Sequence, residues 1–309
     1  MKNIEAQINH KLEGRFKIEK FKTDANGNEI HGTRKIAADW FNNLILNQGL
    51  DYYATNTSII GTCQVGSGTA TPANSDTALV NKIAASSSVT TTTGINGSSP
   101  YYTWIRKVYT FTTGAAAGNL SEVGVGWGST GNLFSRALIL DGVGSPTTLT
   151  ILSDESLQVT YELRFYVPET DVTGTITLDG VDYDWTARAA DCASYSTSGW
   201  YATSAGIVHG TPSLTYAYDG AIAAITSHPT GTASNPNTFD VATYVSGNYY
   251  CDFTIYFGLS TGNLGSGISS LLYQAAAGKW QIGFSPAIPK DNTKELSLTI
   301  RHAFSRKSI

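Results

Sequence analysis

The segment Leu157–Val167 (LQVTYELRFYV) constrains the fold of this chain most strongly, because its apolar residues recur at every second position. These apolar residues are Leu157, Val159, Tyr161, Leu163, Phe165 and Val167. In a β-strand this spacing places all of them on one face, whereas in a helix it would scatter them around the axis. The pattern therefore predicts a half-buried β-strand in the middle of the chain.

Similar short runs of β-branched and aromatic residues occur along most of the chain, separated by small polar residues. We expect strands at Ile59–Gly66, Tyr101–Thr113, Thr147–Ile151, Thr175–Leu178, Tyr183–Ala187, Ser213–Tyr218, Tyr249–Phe257, Lys279–Phe284 and Glu295–Phe304. Asn119–Trp127 and Leu133–Leu140 flank a turn and predict a hairpin, while Ser67–Ser75 and Ser285–Pro289 are expected to be loops. The predicted fold class is all-β, as an antiparallel β-sandwich or a jelly-roll-like fold.

The N-terminal part predicts a β-hairpin followed by the one short helix of the chain. Arg15–Thr23 alternates in the manner of a strand, Asp24–Asn28 supplies a turn, and Glu29–Lys35 is expected to return. In Ala37–Leu50 the apolar residues recur at helical spacing, and Gly49 is placed to end the helix.

This pattern divides the chain into an N-terminal element, residues 1–58, and a large β-sandwich, residues 59–309. We expect the N-terminal element to act in attachment or packing. Residues 168–278 are harder to parse, and we interpret them as an elaboration of the sandwich. A separate second domain that starts near residue 170 is the alternative.

The composition favours a protein whose surface is covered by other subunits. Only 14% of the residues are charged, compared with about 25% in typical globular domains. A formal net charge of −4 argues against a nucleic-acid binder, which needs a basic face. We interpret the basic residues near the two ends as solvated strand faces; they are Lys11, Arg15, Lys17, Lys20, Lys22, Arg301, Arg306 and Lys307.

The cysteines and the N-terminus bear on the compartment in which the chain folds. Cys63, Cys192 and Cys251 are odd in number and widely spaced, which predicts reduced core residues in a reducing cytoplasm. The N-terminus lacks the apolar region of a secretory signal, and no apolar run is long enough to span a membrane.

Acidic and glycine-rich motifs do not complete any site that we tested. The run from Asp24 to Asn28 begins like a calcium loop, but Glu29 and Lys35 stand where that loop needs a glycine and a bidentate acid. Asp179, Asp182 and Asp184 could gather oxygens around a cation, but Asp182 and Asp184 would share one strand face and repel each other, so a metal site is the less favoured interpretation. The glycines Gly66 and Gly68 lack the third glycine of a dinucleotide fingerprint.

The five histidines show no metal-ligand spacing, and there is no phosphate-binding loop or nucleophile elbow. We therefore expect no catalytic residues, no metal and no cofactor. A serine nucleophile assembled only in space stays open, because catalytic triads are spatial arrangements.

Two pairs of aromatic residues are the candidates for surface recognition. Trp200 and Tyr201, and likewise Tyr249 and Tyr250, lie among Gly, Ser and Asn, a composition typical of adaptable binding surfaces. Stacking of sugar rings on these residues would give a glycan-binding patch. The interpretation that they fill a core or a subunit interface is favoured.

Three groups of sequence runs stand out together. The first comprises WFNNLILNQGLD (40–51), CQVGSGT (63–69) and PANSDTAL (72–79). The second comprises LSEVGVGW (120–127) and NLFSRA (132–137), and the third FSPAIPK (284–290) and LSLTI (296–300). Together these runs resemble bacteriophage tail and tail-fibre proteins of the tail-collar type. The residues that carry the resemblance are Asn47, Gly49, Leu50, Gly66, Gly68, Glu122, Gly124 and Phe134.

The resemblance implies a structural virion protein of a phage tail, in a fibre or spike base, a baseplate or a collar. It implies assembly with copies of itself, as a trimer or a higher cyclic ring, and with other tail proteins, inside the host bacterium. It carries no catalytic residue across, and it does not cover residues 168–278. A host receptor-binding protein that recognises surface glycan is the alternative, and a polysaccharide depolymerase is a third hypothesis.

Overall fold

A computed structural model describes residues 2–56, 58–194, 215–275 and 278–307. The strands of the first half are β1 (Lys2–Lys22), β2 (Lys35–Asn42), β3 (Leu44–Ile45), β4 (Thr62–Gly66), β5 (Lys82–Ser86), β6 (Val89–Asn96), β7 (Tyr102–Phe111), β8 (Gly118–Leu120), β9 (Glu122–Gly126), β10 (Leu133–Leu138), β11 (Leu149–Ile151) and β12 (Glu155–Tyr166). A helix, α1 (Asn47–Thr55), lies between β3 and β4.

The strands of the second half are β13 (Val172–Leu178), β14 (Val181–Ala190), β15 (Thr215–Tyr218), β16 (Ala233–Ser234), β17 (Thr238–Val241), β18 (Tyr250–Phe257), β19 (Ile268–Ala275), β20 (Gly278–Ile288) and β21 (Leu296–Arg306). The fold class is all-β with antiparallel sheets and a short helix, as the alternation predicted. Within the described residues, no helix has the length and apolar character needed to cross a membrane.

Within the residues that the structure describes, the strands form four sheets. Eight strands form the largest, in the order β17-β18-β21-β1-β12-β7-β6, with β2 also paired to β1. Six strands follow the order β13-β14-β20-β19-β15-β16, five follow β3-β10-β9-β4-β5, and β11 pairs with β8. The pairing of β9 with β10 confirms the predicted second hairpin.

The N-terminal hairpin is present, but the predicted helix over Ala37–Leu50 is wrong. Residues 35–42 form β2, which pairs with β1, and the helix starts only at Asn47. The pairing contains a bulge, because Phe16 pairs with Phe41 and Ile18 pairs with Ala38, so three steps on β2 match two on β1. Two residues of β2 that are three apart are therefore both buried, as they would be on a helix.

The predicted turn of this hairpin is confirmed, although the return strand starts six residues later than predicted, at Lys35. The Asp24 carboxylate accepts the backbone N–H groups of Asn26 and Asn28 at 2.9 Å each. Gly27 has φ +83°, a left-handed conformation that glycine adopts without strain. This run is a hairpin turn, as the sequence favoured over a calcium loop.

Strand β12 is buried more completely than predicted. Its predicted apolar face is buried from Leu157 through Phe165, and Val167 beyond the strand is buried as well. The opposite face, however, also buries Ser156, Thr160 and Glu162. The strand is central in its sheet, between β1 and β7, which explains why it is not half-exposed.

The C-terminal strands extend beyond their predicted limits. Strand β20 continues through the cis peptide bond Ser285–Pro286, so the predicted loop at Ser285–Pro289 lies mostly inside a strand. The alternation pattern also missed β6, in which four threonines follow one another, and β19, which contains two serines and two leucines. The first two residues of the predicted strand at Ser213–Tyr218, Ser213 and Leu214, lie outside the described residues.

The chain divides into two compact units: unit 1 contains Met1–Lys11, Gly94–Trp104 and Phe165–Ser305, and unit 2 contains Leu12–Thr93, Ile105–Arg164 and Arg306–Ile309. In unit 1, apolar residues of the six-stranded sheet pack with those of β18 and β21 in one core. The buried side chains of unit 2 include Tyr53, Tyr109 and Phe134. The boundaries predicted at residues 58 and 168–278 stay predictions.

Candidate functional site

Motif residues from the predicted helix and the second hairpin meet in unit 2. A side chain could not be added at Gly49, because its Cβ would lie 2.2 Å from the carbonyl oxygen of Phe134. The same carbonyl accepts the N–H of Leu46 at 2.9 Å, and Gln48 Nε2 donates to the Leu133 carbonyl at 2.9 Å. Leu50 is fully buried beside this contact. Helix α1 is thus held against β10 so closely that the backbones of the two elements are in contact.

The carboxylate of Glu122 is completely buried and is bound mainly by backbone N–H groups. It accepts the N–H of Gly68 at 2.9 Å, of Asn81 at 2.8 Å and of Val80 at 3.1 Å. An added Cβ would lie 2.4 Å from Glu122 Oε1 at Gly68 and 2.8 Å from it at Gly66. Gly66 and Gly68, which do not complete a dinucleotide fingerprint, therefore leave room for the side chain of Glu122.

Arg136 completes this buried network. Its Nε donates to Glu122 Oε2 at 3.0 Å, its Nη1 to Asp76 at 2.5 Å and its Nη2 to the Ala70 carbonyl at 2.8 Å. A buried ion pair costs desolvation energy, which such charge-assisted hydrogen bonds offset. Since these groups bond to one another, the network serves to hold the loop 67–81 against β9 and β10.

The remaining motif residues belong to the same unit. Gly124 packs against β10, since its Cβ would lie 2.8 Å from the carbonyl oxygen of Ser135. Asn47 accepts a hydrogen bond from Arg306 Nη2 at 2.6 Å, and its own N–H donates to the Asn74 carbonyl at 2.8 Å. All eight motif residues thus lie in unit 2, where they hold loops and close backbone contacts.

One pair of the predicted recognition aromatics can be located. Trp200 and Tyr201 lie outside the described residues, whereas Tyr249 and Tyr250 are half-buried in unit 1. The Tyr250 ring lies 3.8 Å from the guanidinium carbon of Arg301, which donates to both Asp252 carboxylate oxygens at 2.8 and 2.9 Å. One ring face of Tyr250 is therefore used in an internal cation–π contact.

Tyr249 has a strained backbone. Its φ is +56°, a left-handed value that is unusual for a bulky aromatic residue. Its carbonyl accepts the N–H of Phe304 at 2.9 Å, and the two rings lie 6.2 Å apart. Such strain persists only where surrounding contacts hold it, and it is common at binding surfaces.

A buried histidine pair in unit 1 was not predicted. His10 Nδ1 and His302 Nε2 lie 2.8 Å apart, and both side chains are almost completely buried. Burial lowers the pKa of His10 to about 3, and burial together with the neighbouring His10 lowers the pKa of His302 well below its ordinary value. The alternation along the paired strands β1 and β21 places both histidines on inward-facing positions. This was the sequence signal that could have predicted their burial.

The basic residues near the chain ends are less solvated than expected. In unit 2, Arg15 donates to the buried Glu162, which also accepts hydrogen bonds from Arg106 and Arg164. Burial raises the pKa of Glu162, but the hydrogen bonds from Arg106 and Arg164 and the charge of Arg15 outweigh it and lower the pKa overall. Lys20 pairs with Glu155 at 3.1 Å, so much of the basic charge is locally neutralised.

The acids and cysteines of the described part of the chain are not gathered around a common metal position. There, no three His, Cys, Asp or Glu residues are grouped as metal ligands. Asp182 and Asp184 instead accept the hydroxyl groups of Thr177 and Thr175 at 2.6 and 2.8 Å. The three cysteines are buried and free, and burial raises the pKa of each thiol.

Two sheets end in long strands that carry no charge. Strand β6 (VTTTTGIN) ends the eight-stranded sheet, and β13 (VTGTITL) ends the six-stranded sheet, among the strands that the structure describes. The other ends of the described sheets are strands of two or three residues, namely β3, β16, β8 and β11, or strands with charged residues. Of the charged ones, β2 contains Lys35 and Asp39, β5 starts with Lys82, and β17 contains Asp240. Monomeric proteins commonly protect sheet edges with charge or by keeping them short.

No family model, curated protein or solved structure matches this chain. The resemblance to phage tail proteins is therefore not supported by these comparisons.

Proposed function

We propose that this chain is a structural protein that assembles with copies of itself as a component of a bacteriophage tail. The observation that carries the self-assembly is the pair of long uncharged edge strands, β6 and β13. The assignment to a phage tail is supported by the three groups of sequence runs described above and by no other finding.

Edge strands of this kind are suited to hold subunits together. An edge strand offers unpaired backbone N–H and C=O groups to a further strand, and charged residues such as lysine discourage such pairing. Between Lys82 and Arg106 the sequence has no charged residue, and the same holds between Asp171 and Asp179. Both edges therefore accept a neighbouring strand without burying an unpaired charge.

The buried networks support a structural role over a catalytic one. The motif acid Glu122 has its carboxylate bonded to backbone N–H groups and Arg136. A group held in this way stabilises loops and is not available for proton transfer to a substrate. Rigid loops are useful in a protein whose work is to keep its shape inside a particle.

The test is the mass of the purified chain in solution, measured by light scattering after size exclusion at roughly 1 to 100 µM, because assembly depends on concentration. We expect a discrete oligomer for the wild type and a shift towards monomer for the double variant Thr91→Lys, Thr173→Lys. Val143→Lys adds the same charge to a loop residue that is 87% exposed, and serves as the matched control. A wild type that is monomeric over this whole range would refute self-assembly.

The phage assignment has its own test. Gold-labelled antibodies against the chain should bind at the tails of phage particles released from lysing cells that encode it. Labelling of the cells but never of particles would refute a virion role and leave self-assembly untouched.

Recognition of host surface glycan is the second candidate function, and the strained Tyr249 beside the Tyr250–Arg301 contact favours it. Wild type should then bind a subset of saccharides on a glycan array, and Tyr250→Ala should lose that binding. Tyr52→Ala, which alters a stacked tyrosine of unit 2, is the control. Absence of binding by the wild type would remove this candidate.

A further inference from the structure

The two uncharged edge strands are matched in length and in composition. Strand β6 has eight residues and β13 has seven, and threonine is the most frequent residue in both. Thr90, Thr91 and Thr92 are exposed on β6, and Thr173, Thr175 and Thr177 are exposed on β13. The hydroxyl groups of Thr175 and Thr177 donate to Asp184 and Asp182 of β14, so their methyl groups are what they offer to a further strand. Opposed threonines on neighbouring strands stabilise a sheet. The two edges therefore present similar pairing surfaces, although they belong to different sheets.

Both edges also contain a glycine that is covered by a tryptophan from the adjoining strand. On β6, a Cβ at Gly94 would lie 2.3 Å from Trp104, which is on β7. On β13, a Cβ at Gly174 would lie 2.4 Å from Trp185, its pairing partner on β14. An aromatic ring over an edge glycine fixes the strand against its neighbour. Each edge is therefore held in an extended form before a partner arrives, which reduces the entropy lost on pairing.

We propose that strand β6 of one copy pairs with strand β13 of the next copy, so that the chain assembles head to tail. This inference rests on the proposed self-assembly and names the surfaces that perform it. A head-to-tail contact uses two different patches and closes into a ring when the rotation between subunits permits. In a closed ring every copy covers both of its uncharged edges, whereas a two-fold contact of β6 with β6 would leave β13 uncovered.

The partner chemistry is a neutral, extended strand of a second copy of this chain. Backbone hydrogen bonds and threonine contacts would hold it, because neither edge carries a charged side chain. Assembly of this kind should persist at about 1 M salt, where the screening length is roughly 3 Å and exposed ion pairs are weakened. An interface that depends on ion pairs would instead dissociate as the salt is raised.

A mixing experiment tests which edges pair. Two variants are prepared separately, Thr91→Lys with a blocked β6 and Thr173→Lys with a blocked β13, and their melting curves establish that each folds. We expect each variant alone to be mainly monomeric, with its affinity for further copies of itself weakened by about tenfold or more. Mixed in equal amounts, they should form a dimer and nothing larger, because one intact β6 meets one intact β13.

The other outcomes separate the inference from the proposed function. If Thr173→Lys alone still dimerises and Thr91→Lys does not, the contact is β6 with β6, and the head-to-tail inference is wrong. If wild type forms an oligomer that neither variant changes, assembly uses another surface, and the inference is again wrong. A wild type that stays monomeric would refute the proposed self-assembly itself. Val143→Lys, which leaves both edges intact, should assemble like the wild type.

If Thr91→Lys fails to fold, Thr92→Lys, at another exposed threonine of β6, replaces it. Mixed with Thr173→Lys, it leaves one intact β6 and one intact β13, and the same dimer is expected. A chain that carries both blocking substitutions should stay monomeric when it is alone. Recovery of larger rings with this double variant would overturn the assignment of the edges.

Discussion

Mild acid should destabilise unit 1 through the buried histidine pair. The rings of His10 and His302 have centroids 5.0 Å apart, and Trp280, Phe253 and Phe304 surround them. These neighbours are aromatic and carry no charge that would stabilise an imidazolium. The pair is therefore held neutral in the folded chain, while in the unfolded chain each histidine is free to bind a proton.

The sign and size of the effect follow from the pKa of each state. An unfolded histidine has a pKa of about 6.5, whereas burial lowers that of folded His10 to about 3. The stability that the neutral pair provides is therefore complete above about pH 6.5 and is lost as the pH falls towards the folded pKa. At about pH 5 the loss is roughly 2 kcal/mol for one histidine and roughly 4 kcal/mol if both behave alike.

Urea unfolding followed by tryptophan fluorescence, at several values between about pH 7.5 and pH 5, measures this loss. The double variant His10→Phe, His302→Leu removes both titrating groups, and replacing both partners of a buried hydrogen bond by apolar residues is nearly neutral. We expect its free energy of unfolding to vary much less over this interval than that of the wild type. His31→Gln changes an exposed histidine and should keep the wild-type pH dependence.

Protonation of carboxylates also destabilises the folded chain in acid, but this effect is common to the wild type, the double variant and His31→Gln. The difference between wild type and the double variant therefore isolates the histidine pair. Equal slopes of unfolding free energy against pH for these two proteins would refute the reasoning. A histidine pair that accepts protons without cost would then have access to water or to a carboxylate.

Three further predictions concern the buried network, the close backbone contacts and the thiols. Arg136→Met leaves a carboxylate buried without its partner and should cost about 3–5 kcal/mol in urea unfolding, whereas Arg34→Met, at a partly exposed pair, should cost clearly less; similar costs would contradict the stabilising role of the buried Glu122–Arg136 network. Gly49→Ala should lower the melting temperature markedly, while Gly142→Ala, with nothing within 4 Å of its Cβ, should not, and equal melting temperatures would argue against the close contact with Phe134. The three cysteines should not react with a thiol reagent until denaturant unfolds the chain, because burial raises the pKa of each, and rapid reaction of the native protein would contradict their burial.

Much of the strand content was predictable, because side chains alternate between faces wherever a strand borders a core. Tyr102–Phe111 alternates between buried and half-buried residues, and Tyr250–Phe257 does the same, within one or two residues of the predicted limits. The turn at Asp24–Asn28 was predictable because its carboxylate and glycine chemistry is local. The helix over Ala37–Leu50 was mispredicted because residues 35–42 pair with the distant strand β1, and this pairing does not show in their local spacing.

The candidate site was predictable only in part. The motif residues Glu122 and Gly68 were singled out by their sequence runs, but their direct hydrogen bond joins positions 54 residues apart. The histidine pair joins positions 292 residues apart, and no local pattern relates them. Long-range partners of this kind are chosen by strand order, which a single sequence without related sequences does not reveal.

By itself, therefore, the sequence determined that this chain forms β-strands with small polar turns and few charges, since periodicity and composition are local properties. Only the tertiary structure decided which strands became sheet edges and which polar groups became buried. Both depend on pairing between distant segments. The functional interpretation of the uncharged strands β6 and β13 depends on their position in the tertiary structure. The same threonine-rich sequence would be ordinary in the middle of a sheet, whereas at the end of a sheet it can pair with a further strand.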